Sequence, residues 1–542
     1  MAEARTTTTL FRARQIITLV GDQTVEALAV TGEHVTALGG WTDLVERFPE
    51  AEQVDLGDGV LVPGFNDAHM HPSQAAEDLL HTDVSSSVVH ANADVQARLR
   101  AAAAALAPDA WVRASRYDDG KMAEGETLTR WDLDAAVPDR PVIVVHVAGH
   151  WAIVNSRALA LAGLDDHSQP PPGGAYGRDG SGHLNGILYE RALFAFANPS
   201  IAGQAPLIPP TSIEDRLIGL QRALEQFHAA GLTSLGDAAV GPDDVALYAL
   251  AERRGLLSAR LNLLLVYPHF DLVHRLGLLS GFGSARLRFN GIKAFVDGAI
   301  GGRTCLLDEP FEGTQDHGMQ TISTPELAEL VRTVHSAGWR LGVHANGDRA
   351  IRLLLDQFEQ AAAADPRPDL HHRIEHCSVI DADIVARMRA LGAIAVPFGS
   401  YVHYHGVNLA RWYGAKRLER MFAHRAFLDA GVAVAGASDY PCGPFEPLLA
   451  MQSCVTRTGW DGALLGPSQC ISVRQALELY TTGAAYASGE QDRKGRLAPG
   501  HLADFAVLAH SPFEVDPARL AAIPVRATYV GGTHVWPTAP AG

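Results

Sequence analysis

The stretch LVPGFNDAHMHP (residues 61–72) places two histidines, His69 and His71, directly after an apolar run. Side chains alternate along a strand, so residues two positions apart point to the same side. Two imidazoles at this spacing can therefore bind one metal ion together. We expect the VPGF segment to end a strand and begin a loop, where catalytic groups often lie. Because His-X-His pairs are common by chance, the meaning of this pair depends on the rest of the chain.

The composition is that of a large acidic globular protein. The 542 residues are 47% hydrophobic and 19% charged, which is ordinary for a soluble enzyme with more than one structural unit. A formal net charge of −17 argues against nucleic acid and against anionic membrane surfaces as partners. Five cysteines without CxxC spacing predict reduced core residues in a cytoplasmic protein. The sequence shows neither an apolar leader nor a run of about 20 apolar residues, so we expect no signal peptide and no membrane span.

Short apolar segments followed by helical stretches repeat along the middle of the chain. Eight such units predict an α/β protein with a (β/α)8 barrel of the TIM type, because parallel strands joined by helices close into that architecture. The candidate strands are residues 60–65, 232–237, 260–267, 289–296, 340–345, 372–377, 393–398 and 432–438.

The rest of the chain is expected to form smaller units around this barrel. Residues 1–60 and 491–542 are rich in alternating segments, and we expect both ends to build one small β-sandwich that covers their edge strands. The barrel would then span residues 61–490. A long insertion after the first barrel strand, at about residues 75–210, is expected to form a subdomain over the barrel mouth.

Polar side chains occur where five of the predicted strands end, which is where such barrels carry their catalytic groups. Each also has a structural alternative. His344 or His376 could be a hydrogen-bonded core histidine, Lys293 could pair with Asp297, and Asp439 could cap a helix. A shared metal site explains together why six such residues lie at predicted strand ends, whereas the structural alternatives require each of the six to lie there by chance. The candidate ligands are His69, His71, Lys293, His344, His376 and Asp439.

Several motifs together resemble the metal-dependent amidohydrolase superfamily, in particular the branch typified by N-substituted formamide deformylases. They span nearly the whole chain and are PGFNDAHMH, GHWAIVNSRAL, IKAFVDGAIGGRT, VHANGDRA, RIEHC, GASDYP and GRLAPGHLADFAVL. The resemblance implies a binuclear centre with two divalent metal ions, for which Zn2+ is the expected metal. It also implies that His69, His71 and Asp439 bind one ion. His344 and His376 would bind the other.

The resemblance further implies that Lys293 is carboxylated on its side-chain nitrogen (N6) and bridges the two ions. An ammonium group cannot ligate a metal, whereas a lysine whose pKa is lowered by burial can react with CO2 as a neutral amine. The expected reaction is cleavage of the C–N bond of a small, largely apolar N-substituted amide, such as an N-formyl or N-acyl amine. Metal-bound hydroxide would attack the carbonyl, with Asp439 as general base and then general acid.

Other residues are expected to contact the substrate or support the site. His150 is a candidate donor to the developing oxyanion, and a purely structural role is equally open. Arg303 could bind an anionic group or brace its loop, and bracing is favoured. Glu375 should point away from His376 by strand alternation, which favours a structural or supporting role.

Aromatic residues are expected to make the substrate pocket apolar. Trp151 lies in the inserted segment, and Phe398 and Tyr401 follow the seventh predicted strand. A second His-X-His pair, His403 and His405, is assigned to the same pocket wall and not to the metal. Such a pocket suits a neutral, hydrophobic N-substituent.

Two other functions remain open. A mononuclear deaminase or cyclic-amide hydrolase on the same barrel would share most of the ligands, but such deaminases need a glutamate soon after the strand-five histidine. The four residues after His344 include no glutamate, and Lys293 would have no role. A non-enzymatic scaffold is disfavoured because all six ligands are present. The expected partners are a small-molecule substrate and a second copy of the chain in a cytoplasmic dimer, the dimer by analogy of fold alone.

Overall fold

The computed structural model describes residues 7–197 and 207–538. Its strands, in chain order, are β1 (Thr8–Ile17), β2 (Thr24–Thr31), β3 (His34–Gly39), β4 (Glu52–Asp55), β5 (Val60–Pro63), β6 (Phe65–Met70), β7 (Thr82–Asp83), β8 (Val112–Tyr117), β9 (Val142–His146), β10 (Trp151–Val154), β11 (Gly174–Arg178), β12 (Leu184–Glu190), β13 (Leu232–Val240), β14 (Arg260–Val266), β15 (Leu287–Phe295), β16 (Leu341–Ala345), β17 (Arg373–His376), β18 (Ile394–Val396), β19 (Phe505–Leu508), β20 (Val525–Val530) and β21 (Thr533–Trp536).

The α-helices of the described ranges run between and after these strands. They are Trp41–Arg47, Pro72–Asp78, Asn92–Ala105, Arg130–Ala136, Ser156–Leu161, Arg191–Ala197, Ile213–Ala229, Pro242–Arg253, Phe270–Arg275, Thr324–Ser336, Asp348–Ala364, Ala382–Leu391, Tyr401–His405, Val407–Tyr413, Ala415–Leu418, His424–Asp429, Pro447–Thr456, Val473–Glu478 and Ala484–Ala487.

Both ends of the chain contribute to one mixed sheet. Its strand order is β21-β20-β19-β5-β1-β2-β3, and β4 pairs with β1. The antiparallel pair β5–β19 joins the N-terminal strands to the C-terminal ones. The rings of Phe11, Phe505 and Tyr529 pack together across this junction, with centroids 4.6–5.3 Å apart. The sandwich form of this unit and its domain boundaries stay predictions.

A seven-strand parallel sheet forms a TIM-like barrel in the order β18-β17-β16-β15-β14-β13-β6. Strands such as β14, β16 and β17 are buried along their whole length, as expected where helices cover a parallel sheet. Segment 432–439 completes the wall: isolated parallel bridges join it to the β18 side, and Asp439 N donates to His69 O at 2.8 Å. The eighth predicted strand is therefore present as bridges and not as a regular strand.

The first barrel strand lies later in the chain than predicted. Residues 60–65 were the expected strand, but β5 belongs to the terminal sheet and β6 is the barrel strand. Gly64 joins the two strands where a larger residue has no room, since a Cβ there would lie 2.4 Å from the Thr233 side chain. His69 consequently lies inside a buried strand and not on a loop, whereas His71 follows directly after it.

The helix Thr324–Ser336 shows how local sequence sets the barrel helices. Ser323 caps its start: the hydroxyl accepts from Glu326 N, and the Glu326 carboxylate accepts from Ser323 N at 3.0 Å. Leu327, Leu330, Val331 and Val334 are buried at helical spacing, so one face packs on the barrel. No helix within the described ranges is long and apolar enough to cross a membrane.

A third sheet lies in the chain between β6 and β13, where the sequence predicts an insertion. Its order is β11-β12-β10-β9-β8-β7, and β9 covers most of the apolar segment PVIVVHV. Apolar side chains on one face of β8, β9 and β10 share one buried cluster, and those on the other face of β9 and β10 belong to a second cluster. The predicted insertion also covers residues 198–206, which lie outside the described residues. Its limits as a domain stay a prediction.

Candidate metal centre

Three of the predicted ligands meet at the end of β6. Asp439 Oδ1 lies 3.1 Å from His71 Nε2 and 3.4 Å from His69 Nε2. The ligand atoms of the three residues all lie within 4.8 Å of one another. Atoms bound to one zinc ion are about 3 to 3.5 Å apart, because each bond is about 2 Å long. His69, His71 and Asp439 therefore have the spacing of ligands on one ion.

Glu375 fixes the orientation of His69. The Nδ1–H of His69 donates to Glu375 Oε2 at 2.5 Å, which leaves Nε2 as the nitrogen that faces Asp439. Arg373 donates to both oxygens of Glu375 at 2.7 and 2.8 Å. Burial alone would raise the pKa of Glu375, but the charge of Arg373 and the bond from His69 lower it to about 2. A permanent carboxylate thus holds the imidazole in one tautomer.

The expected direction of the Glu375 side chain is wrong. Strand alternation predicts that Glu375 and His376 point to opposite sides, yet both reach His69: the His376 ring centroid is 4.9 Å from the His69 ring. The backbone explains the difference, because His376 and Cys377 have φ angles of +72° and +44°. Alternation therefore breaks at the end of β17. The supporting role predicted for Glu375 fits its contact.

His71 has an acidic neighbour of its own. Asp237, within β13, places Oδ1 3.9 Å from His71 Nδ1. Its other oxygen accepts hydrogen bonds from the hydroxyls of Ser73 at 2.8 Å and Tyr248 at 2.5 Å. The Asp237 carboxylate is thus held toward the ring nitrogen that does not face Asp439.

His344 and His376 form a second pair of imidazoles with centroids 4.1 Å apart. His344 Nε2 lies 3.1 Å from Gly298 O, which leaves Nδ1 for a ligand. Both nitrogens of His376 are buried and have no hydrogen-bond partner in the described structure. Leaving a buried polar atom unpaired costs about 1–3 kcal/mol, so these nitrogens call for a missing partner. Burial and the neighbouring imidazole hold the pKa of His376 well below its usual range, which favours the neutral form that binds metals.

Lys293 lies among these residues and is 1% exposed. Burial lowers its pKa to about 8. The alternative pairing with Asp297 is not observed, because Asp297 accepts hydrogen bonds from the backbone N–H groups of Leu306, Asn346 and Gly347 at 2.8–2.9 Å. Within the described residues no ion pair involves Lys293; its Nζ lies 4.8 Å from the Phe295 ring centroid. The lowered pKa makes the neutral, reactive form of the Lys293 amine easier to reach near neutral pH.

Asp439 is held from both sides. Its Oδ2 accepts a hydrogen bond of 2.9 Å from the Tyr401 hydroxyl, while Oδ1 faces His69 and His71. Burial opposes its ionisation, but the bonds from the two histidines hold the pKa of Asp439 well below its usual range. Its φ is +57°, and no helix begins at this residue. The helix-cap alternative is therefore not observed.

All six candidate ligands line one cavity of about 460 Å3. His150 lines the same cavity and donates its Nδ1–H to Glu190 Oε2 at 2.7 Å. Glu190 is fixed in turn by Thr304 Oγ1 at 2.7 Å. Burial opposes protonation of His150, but the charge of Glu190 leaves its pKa raised. The His150 ring stands 4.8 Å from that of His344, so it is close enough to meet a substrate at the centre.

The four residues predicted to bind substrate do not line this cavity. Phe398 packs behind His376 at a centroid distance of 4.3 Å, and Tyr401 supports Asp439. The remaining two contact residues that are not candidate ligands. Trp151 stacks on His146 at 4.1 Å, and Arg303 pairs with Asp119 at 3.1 Å and braces its loop.

Sequence reasoning missed the residues that form the cavity wall. Leu193 and Phe194 come from a helix of the inserted segment, and no spacing pattern marks them. Phe295 could have been found, because it follows Lys293 by two positions on β15 and so faces the same side. Cys442 also lines the cavity, three residues after Asp439.

Two other groups of residues resemble metal sites, one by its His-X-His spacing in the sequence and one by the convergence of its side chains in the structure. His403 and His405 lie in the helix Tyr401–His405 and do not join the ligand group at Asp439. Asp118, Asp119 and His146 also converge. Cationic and hydroxyl partners already contact both carboxylates, so this second group reads as a buried ion-pair network.

A barrel with imidazoles and a carboxylate gathered at its strand ends defines a hydrolase of the metal-assisted class. The model of the amidohydrolase family matches residues 52–536. The chain therefore belongs to the amidohydrolase family and is a hydrolase acting on carbon–nitrogen bonds.

The similarity to individual relatives also covers nearly the whole chain. The chain is 30% identical to YtcJ of Bacillus subtilis, covering 95% of this chain and 96% of that protein. It is also 30% identical to an N-substituted formamide deformylase of Arthrobacter pascens, covering 94% of each. Among solved structures, an uncharacterized metal-dependent hydrolase from Pyrococcus horikoshii superposes with a TM-score of 0.75 at 23% identity, covering 94% of this chain and 99% of that one.

Proposed function

We propose that this protein is a binuclear metal-dependent hydrolase of small, largely apolar N-substituted amides, such as N-formyl or N-acyl amines. One observation carries the proposal: four imidazoles, one carboxylate and one buried lysine gather at one cavity, and several of their nitrogens have no protein partner. A site of this composition fits divalent ions of the zinc type.

The donor set divides into two halves. His69, His71 and Asp439 would hold one ion, and His344 and His376 would hold the other. Lys293, carboxylated on Nζ, would supply oxygen ligands to both. When bound, the ions would make water acidic and polarise the amide carbonyl.

Asp439 would transfer a proton from the attacking water to the leaving nitrogen. Its low pKa keeps it ionised, and it can accept a proton at Oδ1 or Oδ2 and return it to the leaving nitrogen. The return step matters because an amine anion is a very poor leaving group. The Tyr401 hydroxyl fixes Oδ2, so the carboxylate keeps one orientation during the transfer.

His150 would donate a hydrogen bond to the carbonyl oxygen. Glu190 occupies Nδ1, which leaves Nε2 free for the substrate. Negative charge grows on the carbonyl oxygen during attack, so a donor fixed in advance lowers the barrier.

The wall of the cavity supports an apolar substrate. Leu193, Phe194 and Phe295 line the same cavity as the candidate ligands, and apolar walls with a few convergent polar groups are typical of small-molecule sites. The 30% identity to an N-substituted formamide deformylase points in the same direction.

A substrate screen tests this function. Protein reconstituted with Zn2+ and bicarbonate would be assayed against N-formyl amines, N-acyl amines, N-acyl amino acids, ureas, carbamates, cyclic amides and aminopurines, with amine or ammonia release as readout. We expect turnover of linear N-substituted amides. Turnover of aminopurines or cyclic amides alone would refute the proposal.

A mononuclear deaminase or cyclic-amide hydrolase is the second candidate. The observation in its favour is that, of the six candidate ligands, His69, His71 and Asp439 form a tight group of ligand atoms that the other three do not join. One ion per active chain, with no effect of changing Lys293, would favour it.

We further propose that the enzyme acts as a cytoplasmic homodimer, without nucleic-acid or membrane partners. The net charge of −17 supports the exclusion of polyanions. Light scattering of the purified protein tests the dimer, and a monomer mass would contradict it.

A further inference from the structure

A second cavity of about 390 Å3 lies beside the catalytic cavity. We call it the side cavity. Phe194, Lys293 and Phe295 line both cavities. The rings of Phe194 and Phe295 have centroids 5.8 Å apart, and the Phe295 ring is 5.5 Å from His344. The two aromatic rings and Lys293 therefore form the boundary that the side cavity shares with the catalytic cavity, next to the candidate metal ligands.

Most of the wall of the side cavity is apolar, and its polar members are Arg191, Tyr267, Lys293 and Thr321. Its wall includes Val266 at the end of β14, Ala294 on β15, and Ile322 and Leu330 before and within the next helix. Thr321 is turned to the backbone, since its hydroxyl donates to Phe295 O at 3.3 Å. Water needs two to four polar partners to be held in such a space, whereas an apolar group gains from filling it. An apolar cavity of roughly 150 Å3 is already enough to hold benzene.

We propose that the side cavity receives the apolar substituent on the amide nitrogen of the substrate. The inference rests on the proposed amide hydrolysis and narrows its substrate class to amides with an aryl or branched alkyl N-substituent. The acyl side of a formamide is only a C–H group. The apolar part of such a substrate is therefore its nitrogen substituent, and that substituent needs an apolar site. Phe194 and Phe295 would flank this substituent next to the amide nitrogen that carries it.

Ala195 offers a way to fill the side cavity without changing the catalytic one. It is half-buried on the helix Arg191–Ala197 and lines only the side cavity of the two. Ala197 is the matched control, because it is also half-buried on this helix but lines only the catalytic cavity. Each alanine would be changed to phenylalanine, and Ala195→Leu would serve as a milder filling variant if Ala195→Phe does not fold.

The first readout compares two substrates, N-benzylformamide and N-methylformamide. Ala195→Phe should lower kcat/KM for the benzyl substrate by at least about tenfold more than for the methyl substrate, the scale expected for losing an apolar contact. Ala197→Phe should lack this preference. Equal losses on both substrates in Ala195→Phe would overturn the inference.

The second readout needs no turnover. Calorimetric titration with toluene should show binding to the wild-type protein, at least tenfold weaker binding to Ala195→Phe, and little change in Ala197→Phe. Toluene affinity that is unchanged in Ala195→Phe would overturn the inference. If the toluene result holds while neither formamide is hydrolysed, the amide hydrolysis fails and the side cavity stands as an apolar binding site.

Discussion

Nδ1 of His69 and Oε2 of Glu375 lie 2.5 Å apart, although 306 positions separate the two residues in the chain. The contact links the first barrel strand to the sixth across the barrel interior. It assigns the proton of His69 to Nδ1 and leaves Nε2 for the metal. The Arg373 guanidinium completes the arrangement, since it keeps Glu375 ionised in a place where burial would favour the neutral acid.

Replacing Glu375 by glutamine should weaken metal binding. The amide cannot supply the charge that fixes His69, and loss of such a supporting contact typically costs 10- to 100-fold in metal affinity. Chelator competition measures the affinity. Glu359→Gln is the matched control, because Glu359 makes an ion pair with Arg387 at the surface. Equal metal affinity in both variants would contradict the role of Glu375.

The same change should also destabilise the metal-free fold. Arg373 is 1% exposed and would lose its charged partner, a situation that costs about 3–5 kcal/mol. Denaturant titration of the metal-free variants measures this loss. The affinity comparison is therefore made well below the melting temperature of each variant.

Replacing Tyr401 by phenylalanine should lower kcat by about tenfold, the value of one hydrogen bond to a charged group. The reason is that Asp439 Oδ2 loses the hydroxyl donor that holds it at 2.9 Å. Tyr404→Phe is the control, since Tyr404 sits on the same helix and donates to Asp118 at 3.0 Å. A Tyr401→Phe enzyme as fast as Tyr404→Phe would show that Asp439 needs no such support.

Asp439→Asn should retain most of its metal and lose most of its turnover. An amide oxygen can still approach a metal ion, but it cannot accept the proton of the attacking water at neutral pH. Metal content and kcat are measured on the same preparation. Turnover within a few-fold of wild type would contradict the assignment of Asp439 as the proton carrier.

The ion pair between Glu490 and Lys494 should make the stability of the fold depend on pH in the acid range. Lys494 at 2.7 Å outweighs the effect of burial and lowers the pKa of Glu490 from 4.5 to about 2. A lowered pKa stabilises the fold above pH 4.5, and this contribution is lost as the pH falls from 4.5 toward 2. It amounts to at most about 3 kcal/mol, at 1.36 kcal/mol for each pKa unit.

Denaturant titration across this range compares wild type with Glu490→Gln. The variant should be less stable at pH 7 and should lose less stability on acidification. Glu514→Gln is the control, because its ion pair with Arg14 is exposed and such pairs contribute little. Parallel pH curves for wild type and Glu490→Gln would refute the prediction.

The strand ends that carry the ligands were predictable because two simple signals coincide there. Lys293, His344 and His376 each follow a short apolar run, and parallel strands bring their carboxyl ends to one side of the barrel. The family resemblance then supplied the division of the ligands between two ions.

Other features depend on contacts between distant parts of the chain. The boundary at Gly64 follows from its packing against Thr233, which belongs to another strand. The positive φ of His376 breaks the alternation that predicts opposite directions for Glu375 and His376. Phe194 reaches the cavity from an inserted helix whose position no periodicity encodes. Periodicity describes one element at a time, so it could not predict these three.

Metal content of the wild-type protein and of Lys293→Ala tests the binuclear centre most directly. Both would be reconstituted with Zn2+ in the presence of bicarbonate, and zinc per chain would be counted by elemental analysis. Lys416→Ala, which changes an exposed lysine, is the control. We predict two ions per chain in wild type and in Lys416→Ala, and at most one in Lys293→Ala. One ion per chain in all three proteins, with activity unaffected by Lys293→Ala, would contradict the binuclear centre.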